Sequence, residues 1–262
     1  MSEEPILIAE EMTKTFGGII ALNRVSFTVN RGDVLGIIGP NGSGKTTTVN
    51  CLTGFVRKTS GRVYFLGTDI SKKPPHKIAD MGLTRTFQVM RPYYSLPAYK
   101  NLVIPLFSPR ARRTGGWRGG GRLGDRDTVG IDILEEIGFE RDSYVPYKNA
   151  ATLPTGYLKR LELARCLALK PEVIICDEIF SGLSMSEIAS MVPLIERLQM
   201  DGITLIMIEH RLRELFRVAN RVMVMNFGEK LMEGSPEKVM SDDKVKEAYF
   251  GSRDIEEVMT HA

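Results

Sequence analysis

Residues 34–46 read Val34-Leu35-Gly36-Ile37-Ile38-Gly39-Pro40-Asn41-Gly42-Ser43-Gly44-Lys45-Thr46. The first five form a short apolar run, which is typical of a strand buried on both faces of a parallel sheet. The last eight have the spacing Gly-x-x-x-x-Gly-Lys-Thr of a phosphate-binding loop, and a helix is predicted to begin near Gly44. Strand, glycine loop and helix follow in the order that such a loop requires, so this stretch predicts an α/β nucleotide-binding fold.

The chemistry of this loop follows from its residue types. Glycines let successive backbone N–H groups curl around a β-phosphate, and the helix N-terminus adds its positive end. Lys45 is expected to reach the β- and γ-phosphate oxygens, and Thr46 to ligate Mg²⁺. The alternative, a glycine turn that binds nothing, is disfavoured by the correct flanks. The predicted nucleotide contacts are Gly39, Pro40, Asn41, Gly42, Ser43, Gly44, Lys45, Thr46 and Thr47.

A second motif places two carboxylates after an apolar run. Val173 to Cys176 is predicted to be a buried strand, and Asp177 and Glu178 follow it, at the end of the strand where ligands of parallel α/β sheets bind. Asp177 suits the Mg²⁺ shell, and Glu178 is suited to polarise an attacking water. Alone, such a pair is often only a strand end. Together with the phosphate loop it predicts nucleotide hydrolysis.

Composition excludes several classes of protein. Of 262 residues, 43% are hydrophobic and 26% charged, which argues against a disordered, collagenous or coiled-coil chain. A net charge of +3 gives little support to nucleic-acid binding, so no nucleic-acid partner is expected. No apolar run is long enough to cross a bilayer, and the acidic start Met1 to Pro5 is unlike a secretory signal. We therefore expect a cytoplasmic protein whose three cysteines are buried, reduced thiols, with no structural metal.

Periodicity gives a coarse map of the chain. Apolar and polar residues alternate from Val25 to Asn30, and Gly61 to Gly67 has Val63 and Phe65 on one face, so the N-terminal third is predicted to be rich in antiparallel strands. The last third alternates strands and helices, as in a parallel sheet. Two helices are predicted between them, at 127–137 and 157–169. Residues 110–126 hold six arginines and six glycines, and we expect a mobile, solvated loop in preference to a contact with anionic lipid headgroups.

Along almost its whole length, the chain resembles the nucleotide-binding subunits of ATP-binding cassette (ABC) transporters. The order of motifs carries the resemblance. It implies that Phe16 stacks on adenine, that Gln88 couples Mg²⁺ to the membrane partner, and that His210 contacts the γ-phosphate. Without the resemblance, Phe16 would be interpreted as a core aromatic, Gln88 as a surface amide and His210 as a cap at the end of a strand. The resemblance also implies that Asp177 is the magnesium aspartate and Glu178 the catalytic glutamate.

The family implies an architecture and partners. The expected fold is α/β, a P-loop NTPase (RecA-like) parallel-sheet core with an antiparallel β lobe and an α-helical lobe inserted at about 92–165, in a single ABC ATPase domain of residues 1–262. The implied partners are integral membrane permease subunits, a second ABC ATPase subunit and, indirectly, an extracytoplasmic solute-binding protein. The implied location is peripheral, on the cytoplasmic face of the cell membrane, and the implied cofactors are ATP and Mg²⁺.

Finer resemblance narrows the class. Thr84 to Gln88, Leu161 to Arg165, Glu209-His210 and Glu247 to Gly251 resemble the ATP-binding subunits of branched-chain amino acid importers. Related subunits serve urea or amide uptake and lipopolysaccharide export. A soluble ABC ATPase acting on nucleic acid would usually carry two cassettes or a coiled-coil insertion, and neither is present. A regulatory GTPase is disfavoured because no Asn-Lys-x-Asp sequence occurs.

The chain departs from the family pattern on one side of the site. The signature that acts on the partner subunit's ATP usually reads Leu-Ser-Gly-Gly-Gln, and here it is Leu153-Pro154-Thr155-Gly156-Tyr157. The usual proline after the catalytic glutamate is Ile179, and a loop that usually ends in Asp or Asn ends in Ser184. The cis half of the site is complete, and two interpretations of the trans half stay open. Either Pro154 weakens the contribution of this chain to the partner's site, or Thr155 supplies the missing hydroxyl and Pro154 is a structural change just outside a helix start.

Overall fold

The computed structural model describes residues 5–113 and 126–250. Its strands are β1 Pro5–Phe16, β2 Ile19–Asn30, β3 Val34–Ile38, β4 Ser60–Phe65, β5 Thr68–Asp69, β6 Leu83–Arg85, β7 Val173–Asp177, β8 Thr204–Ile208, β9 Arg221–Asn226 and β10 Glu229–Gly234. Its α-helices are α1 Lys45–Leu52, α2 Pro75–Met81, α3 Val103–Leu106, α4 Pro109–Arg113, α5 Arg126–Glu136, α6 Thr155–Leu167, α7 Met185–Met200, α8 Leu212–Val218, α9 Pro236–Ser241 and α10 Asp243–Phe250. Short 3₁₀ segments cover Tyr99–Leu102, Val145–Tyr147 and Ala150–Thr152.

The centre of the fold is a six-stranded sheet in the order β10-β9-β3-β8-β7-β6. All neighbours pair in parallel except β10, which runs antiparallel to β9 at the edge. Every residue of β3, β7 and β8 is buried, because both faces of the sheet are covered. This double burial explains why these strands read as continuous apolar runs without alternation.

A four-stranded antiparallel sheet, in the order β2-β1-β4-β5, covers one face of the central sheet. Leu7 and Phe65 from this sheet share one apolar cluster with Ile175 and Ile208 of the central strands. The β1–β2 hairpin turns at Gly17, whose φ of 57° is a conformation that glycine adopts without steric cost. The antiparallel strands therefore lie in the N-terminal third of the chain, as predicted.

Helices cover the other face, where α5 to α8 contribute to a second apolar cluster with alternate residues of the central strands. The described residues between β6 and β7 contain helical elements and one isolated bridge, Pro97 to Asn149. The predicted fold class, a parallel core with an antiparallel lobe and inserted helices, is confirmed. The predicted helices also occur, although α5 and α6 begin one and two residues earlier than expected.

Two strands were not predicted from the pattern. β6 has only three residues, too few to establish a period. β10 reads Glu-Lys-Leu-Met-Glu-Gly and is partly exposed along its length, so it lacks the apolar character by which a central strand is recognised. Edge strands of this kind are often polar, which limits pairing with other chains.

The arginine- and glycine-rich segment differs in part from the expected loop. Residues 114–125 lie outside the described residues, but Pro109–Arg113 forms the short helix α4. The side chain of Arg110 is only 12% exposed. Its guanidinium donates to the carbonyls of Lys170 (2.6 Å) and Met81 (2.8 Å) and to the carboxylate of Glu172 (2.8 Å). These tertiary contacts order the beginning of the segment, which composition alone could not indicate.

Cys51, Cys166 and Cys176 are buried free thiols, as predicted. Burial raises the pKa of Cys166 to about 12, so this thiol stays protonated at neutral pH. In residues 5–113 and 126–250, no helix combines the length and apolar character needed to cross a membrane.

Replacing Arg110 by alanine should destabilise the fold by about 2 kcal/mol, because it removes the donor to two partly buried carbonyls and one ion pair of Glu172. Arg112, on the exposed side of the same helix, provides the matched control, and Arg112→Ala should change stability by less than about 0.5 kcal/mol. Urea denaturation of the two variants and the wild type measures this difference. Equal stabilities would show that the Arg110 contacts do not anchor α4.

Candidate functional site

The predicted site residues meet at one edge of the central sheet. The carboxyl ends of β3, β7 and β8 carry the phosphate loop, the Asp177-Glu178 pair and the Glu209-His210 pair respectively. In the register of these strands, Asp177 lies beside Ile208, and Ile208 lies beside Ile37. Parallel pairing thus places three segments that are distant in sequence around one crevice, where ligands bind in open α/β sheets.

The phosphate loop requires glycine for steric reasons. Gly39 has a φ of 152°, and a Cβ there would lie 2.2 Å from the carbonyl oxygen of Met225 on the neighbouring strand β9. Gly42 and Gly44 have φ values of 80° and 104°, which L side chains rarely adopt. The loop therefore has the curled, glycine-dependent backbone of a kind in which successive N–H groups can bind an anion.

Two side chains of the loop fit a bound phosphate. Lys45 is buried, and its Nζ donates to the carbonyls of Gly39 (2.6 Å) and Pro40 (3.0 Å). Burial lowers its pKa, an effect that the nearby carboxylates of Glu178 and Asp177 oppose. The Oγ atom of Ser43 is buried and has no hydrogen-bond partner. A phosphate oxygen would satisfy this hydroxyl and give the ammonium group a charged acceptor.

Asp177 is held by an arginine that the sequence analysis did not single out. Arg85 Nη2 lies 2.7 Å from Asp177 Oδ2, and both side chains are less than a tenth exposed. The same guanidinium also donates to Asn50 Oδ1 (2.7 Å). Burial raises the pKa of Asp177, and the positive charge of Arg85 opposes that rise. The only signal for Arg85 was its place in the Thr84-to-Gln88 resemblance, because the short strand that carries it has no period.

The structure brings Glu178, Gln88 and His210 together. Gln88 Nε2 donates to Glu178 Oε2 (2.8 Å), and His210 Nε2 lies 3.2 Å from Glu178 Oε1. The side chain of Glu178 is 15% exposed, whereas that of His210 is 46% exposed. A carboxylate held from two sides at the mouth of the crevice is suited to orient a water molecule.

The backbone of Glu178 is in an unusual conformation. Its φ of 53° lies in the left-handed region, which costs a residue with a side chain about 1 kcal/mol or more. Its N–H donates to the carbonyl of Ile208 (2.9 Å), and its carbonyl accepts from Lys159 Nζ (2.8 Å). Surrounding contacts therefore hold this residue where a free chain would not.

Glu209 was also not predicted as a site residue. Its side chain is buried, and its Oε1 accepts a hydrogen bond from the backbone N–H of Phe180 (3.0 Å). Burial raises its pKa to about 8. In the sequence, Glu209 is a charged residue directly after a predicted buried strand. The pair Glu209-His210 contributed to the family resemblance, but no role was predicted for Glu209 itself.

The signature segment 153–157 forms the start of α6. Pro154 precedes the helix and makes no side-chain cap, and Thr155 is exposed. The carboxylate of Glu187 lies directly against Gly156, since a Cβ on Gly156 would lie 2.4 Å from Glu187 Oε1. This helix N-terminus therefore already has an anionic partner within its own chain.

Two further predicted residues, Thr46 and Phe16, are exposed. Thr46 lies on the first turn of α1, and its hydroxyl is an oxygen donor of the kind that suits Mg²⁺. Phe16 ends β1 and is 47% exposed, with Lys14 Nζ 4.6 Å from its ring centroid. An aromatic ring exposed to this degree is available for stacking, unlike a core side chain.

Comparison with known proteins shows the family to which a chain with this site belongs. The family model described as ABC transporter matches residues 22–181. The chain belongs to the ABC transporter family. A second model, described as branched-chain amino acid ATP-binding cassette transporter, matches residues 229–255.

Relatives of the whole chain agree with this family. The probable branched-chain amino acid transport ATP-binding protein LivG of Archaeoglobus fulgidus is 34% identical over 96% of this chain and 97% of its own length. The high-affinity branched-chain amino acid transport ATP-binding protein BraF of Pseudomonas aeruginosa is 34% identical over 94% of this chain and 98% of its own.

A solved structure supports the same conclusion. The ADP conformation of MJ1267, an ATP-binding cassette of an ABC transporter, superposes with a TM-score of 0.81 at 34% identity and covers 95% of this chain and 100% of its own. The predicted family is thus confirmed, as is its implication that this ABC protein is an ATP-binding transporter ATPase. The roles of individual residues stay predictions.

The raised pKa of Glu209 gives a prediction for the pH dependence of stability. Since the folded-state pKa of about 8 lies above the ordinary value of 4.5, stability should be full below the ordinary value and fall as pH rises towards 8, by up to about 1.4 kcal/mol per unit. Glu209→Gln has no carboxyl to ionise and should lack this loss. Urea denaturation at pH 6 and pH 9 should therefore show that the free energy of unfolding of Glu209→Gln, relative to that of the wild type, is higher at pH 9 than at pH 6. A constant difference would contradict the assignment.

Proposed function

We propose that this ABC ATPase powers uptake of branched-chain amino acids, with Glu178 as the catalytic residue. The observation that carries the catalytic part is the cluster of Glu178, Gln88 and His210 beside the phosphate loop. The match of residues 229–255 to the branched-chain amino acid cassette model, and the names of the relatives, support the solute class.

The proposed reaction begins with nucleotide binding. Phe16 stacks on the adenine ring, and the N–H groups of the loop receive the phosphates. Lys45 exchanges the carbonyls of Gly39 and Pro40 for phosphate oxygens, gaining a charge-assisted contact. Thr46, Asp177 and Gln88 would hold Mg²⁺, which neutralises charge on the β- and γ-phosphate oxygens when bound.

Hydrolysis in this proposal depends on water and a second chain. Glu178 orients a water molecule in line with the γ-phosphate, and His210 contacts that phosphate from the end of β8. The transferring phosphoryl group needs donors on several sides, and one loop supplies only some of them. The signature of a second ABC ATPase subunit, docked head to tail, would supply the others.

The permease is proposed to dock in an apolar groove of about 710 Å³ between α2, β6 and the segment 104–109. Aromatic residues Phe55 and Phe87 line it together with Ile104 and Phe107. Phe87 directly precedes Gln88, so a permease segment in the groove lies next to a contact of Glu178. This docking would place the chain on the cytoplasmic face of the membrane, and a solute-binding protein would act indirectly through the permease.

The test of the solute is uptake in the native host. Deleting the gene should lower uptake of labelled leucine, isoleucine and valine, and a plasmid copy of the wild type should restore it, whereas Glu178→Gln should not. Uptake of labelled urea serves as the control and should not change. Loss of urea uptake with intact leucine uptake would contradict the proposed solute.

Glu178→Gln should keep ATP binding and reduce turnover by about 10²-fold or more, because the amide keeps the size of the side chain and loses the base. The variant should form an ATP-stabilised dimer in size-exclusion chromatography. Phosphate release measures turnover, and hydrolysis at the wild-type rate would show that Glu178 is not the catalytic carboxylate.

Lys45→Ala should instead lose nucleotide affinity, since it removes a charged donor to the phosphates. Calorimetric titration with ATP measures the dissociation constant. An affinity equal to that of the wild type would count against a phosphate contact by Lys45.

Phe16→Ala and His210→Ala should have opposite effects. Loss of stacking at Phe16 should weaken ATP binding by about 1–3 kcal/mol, on the scale of bases that stack on aromatic side chains. His210→Ala should lower turnover and leave ATP affinity nearly unchanged, because its phosphate contact forms in the hydrolysing state. Measuring Kd and kcat for both variants separates the two roles. Unchanged Kd in Phe16→Ala would exclude the stacking role.

A further inference from the structure

The left-handed conformation of Glu178 must be maintained by its neighbours, and the structure identifies them. Glu178 is followed by Ile179 and Phe180, and the three residues form a turn at the end of β7. We infer that Glu209 is a positioning residue for catalysis: with Lys159, its buried carboxylate fixes this turn so that the Glu178 side chain faces Gln88 and His210. The inference rests on the proposed catalytic role of Glu178.

The end of β8 holds the turn from one side. The carbonyl of Ile208 accepts from the N–H of Glu178 (2.9 Å). The side chain of the next residue, Glu209, accepts from the N–H of Phe180 through Oε1 (3.0 Å). Ile208, the last residue of β8, and Glu209, which follows it, thus bind two N–H groups of the turn, and this restricts its backbone.

Lys159 holds the turn from the other side. Its side chain is buried, and its Nζ donates to the carbonyl of Glu178 (2.8 Å). Burial lowers its pKa, while the charges of Glu209 and Glu178 oppose that effect. Since Lys159 belongs to α6, the helix that begins with the signature segment is attached directly to the catalytic turn. A shift of α6 would therefore be transmitted to Glu178.

The chain offers a graded set of variants to test Glu209. Glu209→Ala removes the acceptor, whereas Glu209→Gln keeps a carbonyl oxygen that can accept from the N–H of Phe180. Glu214→Ala is the matched control, because Glu214 is another buried glutamate, on α8, with one carboxylate oxygen that has no partner. All are assayed as the full chain, at a temperature where circular dichroism shows each variant folded.

Glu209→Ala should lower kcat by about 10- to 100-fold, the scale of a small misplacement of a catalytic group, and leave the Kd for ATP within about twofold. Glu209→Gln should recover most of the kcat, and Glu214→Ala should match the wild type. Lys159→Met, which removes the other contact of the turn, should also lower kcat and spare the Kd. It keeps the test decisive if Glu209→Ala does not fold.

A wild-type kcat in Glu209→Ala, or in Lys159→Met if the former does not fold, would overturn the inference. A parallel loss of kcat and ATP affinity that Glu209→Gln does not relieve would also overturn it, since general destabilisation would then explain the result. Glu178→Gln separates this outcome from failure of the proposed function. If that variant hydrolyses ATP normally, the catalytic assignment itself fails, whereas an inactive Glu178→Gln beside a fully active Glu209→Ala refutes the positioning role alone.

Discussion

Parallel pairing of β3, β8 and β7 is the constraint on which the rest of the structure depends. Adjacent parallel strands end at the same edge, so the residues that follow each of them share one crevice. The pairing is stabilised by burial of both sheet faces, which the antiparallel sheet and the helices provide. The site is therefore a product of the layered core, and its side chains converge because of strand order.

Charge balance is the second physical feature of the site. Asp177 is a buried acid at this edge, and Glu178, which follows it, has a partly exposed side chain. Arg85 pairs with Asp177, and Lys159 donates to the backbone of Glu178. Unpaired charges at such depth would be costly. Because these charges are paired, the fold can be stable and still contain a crevice that is able to receive a polyanion and a cation.

Much of this account could be predicted from sequence because the information was local. The phosphate loop, the Asp177-Glu178 pair and the strands around them are short, contiguous patterns with a direct structural meaning. Arg85, Lys159 and Glu209 could not be found in that way, since each acts through a partner far along the chain. The helix α4 escaped prediction for the same reason, because distant carbonyls and Glu172 bind Arg110.

The altered signature shows what a local departure can mean. Pro154 lies just outside α6, a position that proline occupies without losing a helical hydrogen bond, so its presence there has a structural explanation. The carboxylate of Glu187 at Gly156 is a tertiary feature, which the pattern 153–157 did not indicate. The cis half of the site, the phosphate loop with Asp177 and Glu178, could thus be predicted from local sequence patterns. The behaviour of the trans half, the signature 153–157, depends on contacts with other parts of the chain and with a partner.

The most direct test of the central claim is a crystal structure of the full chain with Mg²⁺ and a non-hydrolysable ATP analogue. The account predicts phosphates within hydrogen-bond distance of the loop N–H groups, Ser43 and Lys45, with the γ-phosphate facing Glu178 and His210. Lys45 Nζ should then have left the carbonyls of Gly39 and Pro40. A nucleotide bound elsewhere, or a γ-phosphate directed away from Glu178, would contradict the account.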